Sequence, residues 1–510
     1  MQTRFTNFFS GIINEIRSTV STGFWYSENL EVGKGKSVKQ VVNNQAENVG
    51  NYSVDNYITK LIQVGTNIYG LGQDNNTNHD TTIWTKTNQL NANWAIVTNG
   101  TIASTTFRGG DSLFTYLNGS FYFDGGNDYI SKYTGTTMTA TWKPLTGGMK
   151  GGTIWQGNIY GWNGQNVYCI DPVAGTVTDM IAIPTDQTIV DLVASGNLMH
   201  IICTSTVTVS RMYIWDGVST TVFTDIVDIG MGTVSGGAVL EGQTVVAIST
   251  PNKRTLKLKI YNANGIFGNL FTYTARTNRA GTYNYILPAS KLKTFSGFIY
   301  FIVTGTQPDD TYAGLYQYAI ARFGREEPIN PLTFSIYKTL DFSSARVIDG
   351  AVTNNDFTII ESIVGGSDTV DRAIHAVINS DTNKTTFFSS SSNTYTAQPG
   401  VLETFKFTGA DKNGIGDSSI TKLLLGISTQ YTALPTAGQV ICKYKKDEEL
   451  TWTTIFTDTT DNAISHEAIN IESSGVALVA FKELQLRFEL TGGAELTGYS
   501  VSCKDLATIL

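Results

Sequence analysis

A strand–turn–strand unit recurs along this 510-residue chain, and it limits the available folds more than any other feature. In each copy a turn holding Gly leads into an apolar, often aromatic strand. A polar loop then leads to a second aromatic strand. The first of these strands reads Gly65-Thr-Asn-Ile-Tyr-Gly-Leu, Asn118-Gly-Ser-Phe-Tyr-Phe-Asp and Gln156-Gly-Asn-Ile-Tyr-Gly-Trp. It returns as Ser195-Gly-Asn-Leu-Met-His-Ile, Glu241-Gly-Gln-Thr-Val-Val-Ala and Ser296-Gly-Phe-Ile-Tyr-Phe-Ile, with a weaker seventh copy at Asn354-Asn-Asp-Phe-Thr-Ile-Ile. Companion strands follow at Thr82-Ile-Trp, Asp128-Tyr-Ile-Ser, Asn166-Val-Tyr-Cys, Arg211-Met-Tyr-Ile, Lys257-Leu-Lys-Ile, Gly314-Leu-Tyr-Gln and Arg372-Ala-Ile-His.

Gly65, Gly119, Gly157, Gly196, Gly242 and Gly297 are separated by 54, 38, 39, 46 and 55 residues. A propeller blade takes about 40–50 residues, so the spacing predicts a β-propeller with loop insertions. Six clear copies and one weak one predict about seven blades, with six as the alternative. Either Gly23-Phe-Trp-Tyr-Ser or Ser37-Val-Lys-Gln-Val-Val is placed to complete the last blade and close the ring. After Phe387-Phe-Ser-Ser-Ser-Ser and Pro399-Gly400 the rhythm changes to closely spaced strands, as in a β-sandwich. In that region Phe481-Lys-Glu-Leu-Gln-Leu-Arg-Phe-Glu-Leu alternates, which predicts one buried and one wet face. At the other end Phe5, Phe8, Phe9, Ile12, Ile13, Ile16 and Val20 follow one helical face. The expected organisation is therefore all-β apart from a short N-terminal helical arm. Residues 1–20 are that amphipathic arm, 21–395 the propeller and 396–510 the sandwich.

Composition narrows the function classes. Charged residues are 15% of the chain, against about 25% in an ordinary soluble domain. Lys and Arg total 35 and are outnumbered by 43 Asp and Glu, for a net charge of −8. That balance argues against tight nucleic-acid binding. Cys169, Cys203, Cys442 and Cys503 lack CxxC spacing and read as buried free thiols. No secretory signal or uninterrupted apolar span is read, so the expectation is synthesis in a cytoplasm and no membrane span.

The candidate chemical motifs are incomplete. Gly35-Lys36-Ser37 ends like a phosphate loop, but the position that needs its first glycine is Leu30. Gly147-Gly-Met-Lys-Gly-Gly152 reads as a loop between blades, since a dinucleotide fingerprint must open a helix. Asp74 to Asp80 places oxygen ligands at alternate positions like a calcium loop, yet His79 stands where glycine is needed and Thr85 where the bidentate Glu belongs. Asp411 to Asp417 is a fainter version of the same pattern. His200 and His375 read as core or channel-facing, and no Gly-x-Ser-x-Gly elbow is present. Asp447-Glu-Glu-Leu-Thr-Trp452 resembles a degraded aspartate-box turn, with Trp452 expected in the sandwich core. No catalytic, cofactor or metal residue is assigned. A glycosidase carboxylate pair remains the enzyme alternative.

Gly23-Phe-Trp-Tyr-Ser-Glu-Asn-Leu-Glu-Val with Ser37-Val-Lys-Gln resembles the opening of propeller proteins from tailed-bacteriophage tails. Lys443-Tyr-Lys-Lys-Asp, Leu450-Thr-Trp-Thr-Thr-Ile, Phe481 to Leu490 and Leu496-Thr-Gly-Tyr-Ser-Val resemble their appended sandwich. The resemblance implies a structural, non-enzymatic virion protein without cofactor, nozzle-like or at the tail tip. It also implies a homo-oligomeric ring that contacts an adaptor or portal-side ring and fibres. Phe5, Phe8, Phe9, Ile12, Ile13 and Ile16 would be its docking arm. A host-glycan-binding adhesin is the alternative from another class.

Overall fold

The computed structural model describes residues 2–5, 11–12, 23–24, 26–28, 30–32, 37–40, 42–46, 57–74, 80–87, 93–103, 105, 107–108, 112–251, 255–262, 264–274, 292–295, 297–306, 317–325, 332–338, 357–362, 373–380, 384–395, 399–408, 420–469 and 479–506. Among them there is no α-helix; the chain is all-β. The helical arm is corrected for the part that is described. Gln2–Phe5 is a strand antiparallel to the C-terminal strand Glu495–Asp505, with Gln2 opposite Ser502 and Phe5 opposite Tyr499. Gly11–Ile12 is a strand parallel to Gly23–Phe24. A short helix must bear its own nucleation cost, whereas a strand that joins an existing ladder does not. Phe8, Phe9, Ile13 and Ile16 lie outside the described residues.

Seven four-stranded sheets recur in chain order among the described residues. Sheet three is representative: Lys150–Trp155, Asn158–Asn163, Asn166–Asp171 and Thr176–Ala182 pair antiparallel in sequence. The repeat read from the sequence is the second and third strand of such a sheet. Its turn glycines tighten the first hairpin. In Asn118-Gly119, Gln156-Gly157 and Glu241-Gly242 both residues have positive φ, the conformation whose twist matches a two-residue hairpin. The third strand ends on a side-chain acceptor. Asp171 Oδ1 takes the N–H groups of Val173 and Ala174 at 2.8 Å, and Asp216 Oδ1 takes those of Val218 and Ser219 at 2.9 and 3.2 Å. Asn262 does the same for Asn264 at 3.0 Å. These Asx turns fix where the fourth strand begins.

The first strands of the seven sheets are Tyr57–Val64, Phe114–Leu117, Lys150–Trp155, Thr188–Ser195, Thr233–Leu240, Lys293–Phe295 and Phe357–Ser362. Each lies against the first strand of the next sheet, and the seventh lies against the first. Hydrogen bonds join neighbours directly. Thr153 Oγ1 donates to the Leu192 carbonyl at 2.6 Å, Gly237 N–H to Asp191 Oδ2 at 3.2 Å, and Thr294 Oγ1 to the Val239 carbonyl at 2.7 Å. Close approach selects small residues here. A Cβ on Gly237 would collide with Ile202 of the preceding sheet, and one on Gly152 would crowd Thr115 and the Phe114 carbonyl of the preceding first strand at 3.2 and 3.3 Å. Apolar side chains fill the space between sheets. Trp155, Tyr160, Leu192, Met199, Tyr213 and Trp215 form one buried cluster spanning sheets three and four.

Sheet seven is assembled from two ends of the sequence. Phe357–Ser362, Ala373–Ser380 and Lys384–Tyr395 are its first three strands, and Val42–Ala46 is the fourth. The weak seventh copy at Asn354 therefore feeds a first strand, one strand out of phase with the other six.

Met1–Asn43, Ala319–Leu340 and Ser391–Leu510 form one compact unit, and Asn44–Tyr318 with Asp341–Ser390 another. The former contains a seven-stranded and a five-stranded sheet, together with the Gly11–Ile12 and Gly23–Phe24 pair and, from sheet six, Thr333–Lys338 and most of Gln317–Gly324. Tyr26–Glu28 pairs in the five-stranded sheet, while Leu30–Val32 and Val38–Gln40 extend the seven-stranded one. The inner faces meet through contacts such as Phe488 with Tyr499, ring centroids 5.1 Å apart.

Asp458, at the end of the edge strand Thr453–Asp458 of the five-stranded sheet, reaches across to the other sheet. It accepts a hydrogen bond from the Tyr431 hydroxyl and lies 3.5 Å from His466 Nδ1. Burial alone would raise this carboxyl, but the Tyr431 and Thr460 donors and His466 hold it below the usual range. A depressed folded-state value contributes stability above the unfolded value of about 3.9 and loses it as pH falls through the folded one. Asp458→Asn is therefore expected to lower stability near neutrality and to flatten the loss below about pH 4. Urea denaturation midpoints across pH measure this; parallel wild-type and variant curves count against it.

Candidate functional site

The densest assembly of interacting charged side chains among the described residues lies on the five-stranded sheet. Its strand order is Thr453–Asp458, Gln439–Lys446, Leu484–Thr491, Gly400–Glu403 and Tyr26–Glu28. Along Leu484–Thr491 the alternation places Leu484, Leu486, Phe488 and Leu490 on one face, all buried. Gln485, Arg487 and Glu489 take the other face. Cross-strand register sets Lys443 opposite Arg487, and Glu403 opposite Arg487 on the far side.

These groups form an ion-pair lattice. Arg487 Nε lies 2.9 Å from Glu489 Oε1, and Nη1 lies 3.6 Å from Glu403 Oε1. Lys443 Nζ donates to Glu489 at 2.7 Å. Gln485 Nε2 donates to the Thr404 carbonyl at 2.8 Å. Lys406 adds a pair with Glu483 at 3.0 Å. The face predicted to be wet is thus buried: the side chains of Glu403, Arg487 and Glu489 are 5, 7 and 9% exposed. Alternation separates two faces of a strand, but it does not say which of them meets water.

Trp452 stands at the rim of this lattice, half-buried, with Lys445 Nζ 4.6 Å and Arg487 Cζ 5.8 Å from its ring centroid. It is not a core residue; cation–π attraction holds it at the margin. The turn before it has a structural task. Asp447, at φ 48°, accepts the N–H groups of Lys482 and Glu483 on Oδ1 at 2.7 and 2.9 Å. The arrangement offers fixed donors and acceptors beside an aromatic edge, and its carboxylates are already engaged as acceptors.

Elsewhere the sequence candidates resolve into structural parts. Ser37 of the Gly-Lys-Ser run hydrogen-bonds Glu495, and residues 33–36 lie outside the described residues. In the Gly147–Gly152 loop, Gly147 N–H donates to Asp128 Oδ1 at 2.9 Å. Arg108 Nη2 meets the same oxygen at 2.6 Å. Gly148 leaves room for the buried Asp124 carboxylate, which a Cβ there would strike. Burial pushes Asp124 above the usual carboxyl range, against the Gly126 N–H and Arg108. Of the calcium-like loop, Asp74 N–H donates to the Asp80 carbonyl at 3.2 Å; residues 75–79, and Asp411 to Asp417, lie outside the described residues. His200 is buried, within 2.8 Å of Thr244 Oγ1 through Nδ1, and burial pulls its imidazole down to about 4. His375 sits in the second strand of sheet seven. The four cysteines are buried free thiols, and burial raises Cys203 and Cys442.

Among the described residues, no group of three or more His, Cys, Asp and Glu is arranged to hold a metal, and no helix is long and apolar enough to cross a membrane. No protein-family model matches the chain, and no curated protein matches its sequence.

Sequence reading passed over Glu403, Lys443, Arg487 and Glu489 as members of one group. The available signal was the row of charges at alternate positions, Arg487 and Glu489, two residues apart on a single strand. Their partners come from strands about 45 and 85 residues away, and only the register of the sheet joins them. Arg487→Met is expected to cost about 3–5 kcal/mol, because it leaves Glu403 and Glu489 buried without their shared cation. Replacing Glu403, Arg487 and Glu489 together by apolar residues should restore most of that loss. Denaturant titration of the two variants checks both halves of the expectation.

Proposed function

We propose that the chain is a structural virion protein of a bacteriophage tail, a ring component of the nozzle or host-facing tip that serves host attachment and genome delivery. In this reading the seven four-stranded sheets are the blades of a seven-bladed β-propeller, and the two-sheet unit is its appended β-sandwich. The observation that carries it is the closed cycle of first strands, whose seventh sheet receives its fourth strand from the start of the chain. A sheet system with neighbours on every side presents few open edges, which suits a part built into a larger assembly. The tail-protein resemblance of Gly23 to Val32 and of the C-terminal strands points to the same setting. An excess of acidic over basic residues suits a surface past which DNA moves without being held. The partners would be other tail proteins and further copies of the chain, assembled in the bacterial cytoplasm.

Particle imaging tests the reading. Purified virions of the phage encoding this chain, examined by electron cryomicroscopy, are expected to show it as a ring coaxial with the tail. Absence of the chain from washed virions, or its confinement to peripheral trimers, overturns the assignment. Trp452 supports a second reading, in which the sandwich binds host glycans through an aromatic edge flanked by fixed polar groups. If that holds, binding of purified protein to host surface polysaccharide should fall at least about tenfold in Trp452→Ala, the scale of one lost aromatic contact.

A further inference from the structure

Acidic charge is concentrated on one stretch of the chain. Between Lys150 and Lys253 there are eight acidic residues and one basic residue, Arg211, so this stretch carries nearly the whole net charge of −8. Arg211 is already paired, with Nε 3.0 Å from Asp228 Oδ1. The stretch builds sheets three and four and the first half of sheet five.

The same three sheets expose apolar side chains at equivalent turns. In each, the turn after the third strand follows an Asx acceptor, Asp171, Asp216 or Asn262. Val173 and Val218, two residues after the first two acceptors, are 87 and 81% exposed, and Val222 and Ile266, further along their turns, are 63 and 58% exposed. The corresponding turn of sheet two, Thr134 to Thr137, carries only Thr and Gly. Single exposed valines are ordinary, but their return on successive turns is a pattern that the packing of the sheets does not use.

These turns are braced. A Cβ on Gly217 would come within 2.7 Å of the Trp155 ring of sheet three, and the Trp155 indole N–H donates to the Gly196 carbonyl at 3.0 Å. In the longer turn of sheet four, Ser219 Oγ accepts the Val222 N–H at 2.9 Å, and the Ser219 carbonyl accepts the Trp215 indole N–H at 2.6 Å. Val218 and Val222 are thus held in place before any contact, which lowers the ordering cost of one. In an antiparallel four-stranded sheet the first and third turns share one end. Sheets four and five are aligned at the other end, where Val234 N–H donates to Thr204 Oγ1 at 3.1 Å. Asp216 and Asp225, which flank the turn of sheet four, and Glu241, in the first turn of sheet five, therefore stand at the end that carries the valines. All three are exposed.

We propose that this end of sheets three to five, with Val173, Val218 and Val222 beside Asp216, Asp225 and Glu241, is a docking surface for a basic segment of another protein, one that carries Lys or Arg together with apolar side chains. The assignment does not rest on the function proposed above. Charge complementarity selects the occupant. A Lys or Arg side chain lays its methylene stem on valine while its head meets a carboxylate, so one residue type satisfies both features. A metal ion would leave the valines unused, and an acidic segment or a nucleic acid would be repelled.

Fluorescence anisotropy with the full-length protein tests it. The probe is a short labelled peptide of alternating Lys and Val, with Lys–Ser and Glu–Val peptides of equal length as comparisons. The Lys–Val peptide is expected to bind, the Lys–Ser peptide about tenfold more weakly, and the Glu–Val peptide not at all. Val173→Ser, Val218→Ser and Val222→Ser together, and Asp216→Asn, Asp225→Asn and Glu241→Gln together, should each weaken the Lys–Val peptide about tenfold or more. All six side chains are exposed, and asparagine keeps the acceptor that the turn after position 216 needs. Asp186→Asn, Val207→Ser and Met231→Ser, at the opposite end of sheet four, should leave binding unchanged. No binding of the Lys–Val peptide, or wild-type affinity in both surface variants, overturns the proposal. So does an equal loss in the opposite-end variant, or equal binding of the Glu–Val peptide. A dimer of the chain that the valine variant dissolves, seen by sedimentation, gives the surface to a second copy and overturns it as well.

Discussion

A four-stranded sheet has two faces, and in this chain both are apolar. Covering both demands a neighbour on each side, and a row of such sheets escapes exposed ends only by returning to its start. The cycle of first strands meets that demand, and many residue choices follow from it. Where first strands approach one another, bulk is excluded, and Gly152 and Gly237 appear. Between sheets three and four, Trp155, Tyr160 and Trp215 pack with rings 5.4–6.1 Å apart. The glycine and aromatic contents of the sequence are thus two sides of one geometric requirement.

Charge is handled by pairing. Taking a carboxylate out of water is costly unless a cation or several N–H groups replace the solvent. Glu403 and Glu489 flank Arg487, Asp124 takes the Gly126 N–H beside Arg108, and Asp191 accepts a backbone N–H from the next sheet. Such groups add register more than raw stability, because each fits only one alignment of its neighbours. A chain with few charges places several of them where strands must be held in phase.

Hairpin turns and the second and third strands of the first six sheets were legible in the sequence, because their signals are local. Gly at positive φ and alternating aromatics announce themselves within ten residues. Pairings made over long chain distances were not legible. Nothing near Thr3 names Val501 as its partner, and the helical spacing of Phe5, Phe8, Phe9 and Ile12 offered a competing local reading. The strand at Phe481 to Leu490 showed its alternation correctly, but the environment of its polar face was beyond pattern. Ser37 to Val42 reads in sequence as a segment placed to complete the last blade, and membership of a C-terminal sheet has no local signal. Val38–Gln40 instead pairs in the seven-stranded sheet, and the following strand, Val42–Ala46, joins sheet seven. The ion-pair lattice shared this fate, since Lys443, Glu403 and Arg487 meet only once three strands are in register.

The composite seventh sheet also sets an order in time. A ribosome releases Val42–Ala46 early and its neighbour Lys384–Tyr395 much later, so the earliest strand of sheet seven waits longest for its partner. Six sheets have the means to form during that interval, each from contiguous sequence, while the seventh stays incomplete. Closure then requires contacts of very high sequence separation, the slowest kind to form. The unclosed intermediate exposes strand edges that attract other chains. Synthesis of Phe357–Ser362, Ala373–Ser380 and Lys384–Tyr395, rather than of the first six sheets, is the moment at which that exposure ends.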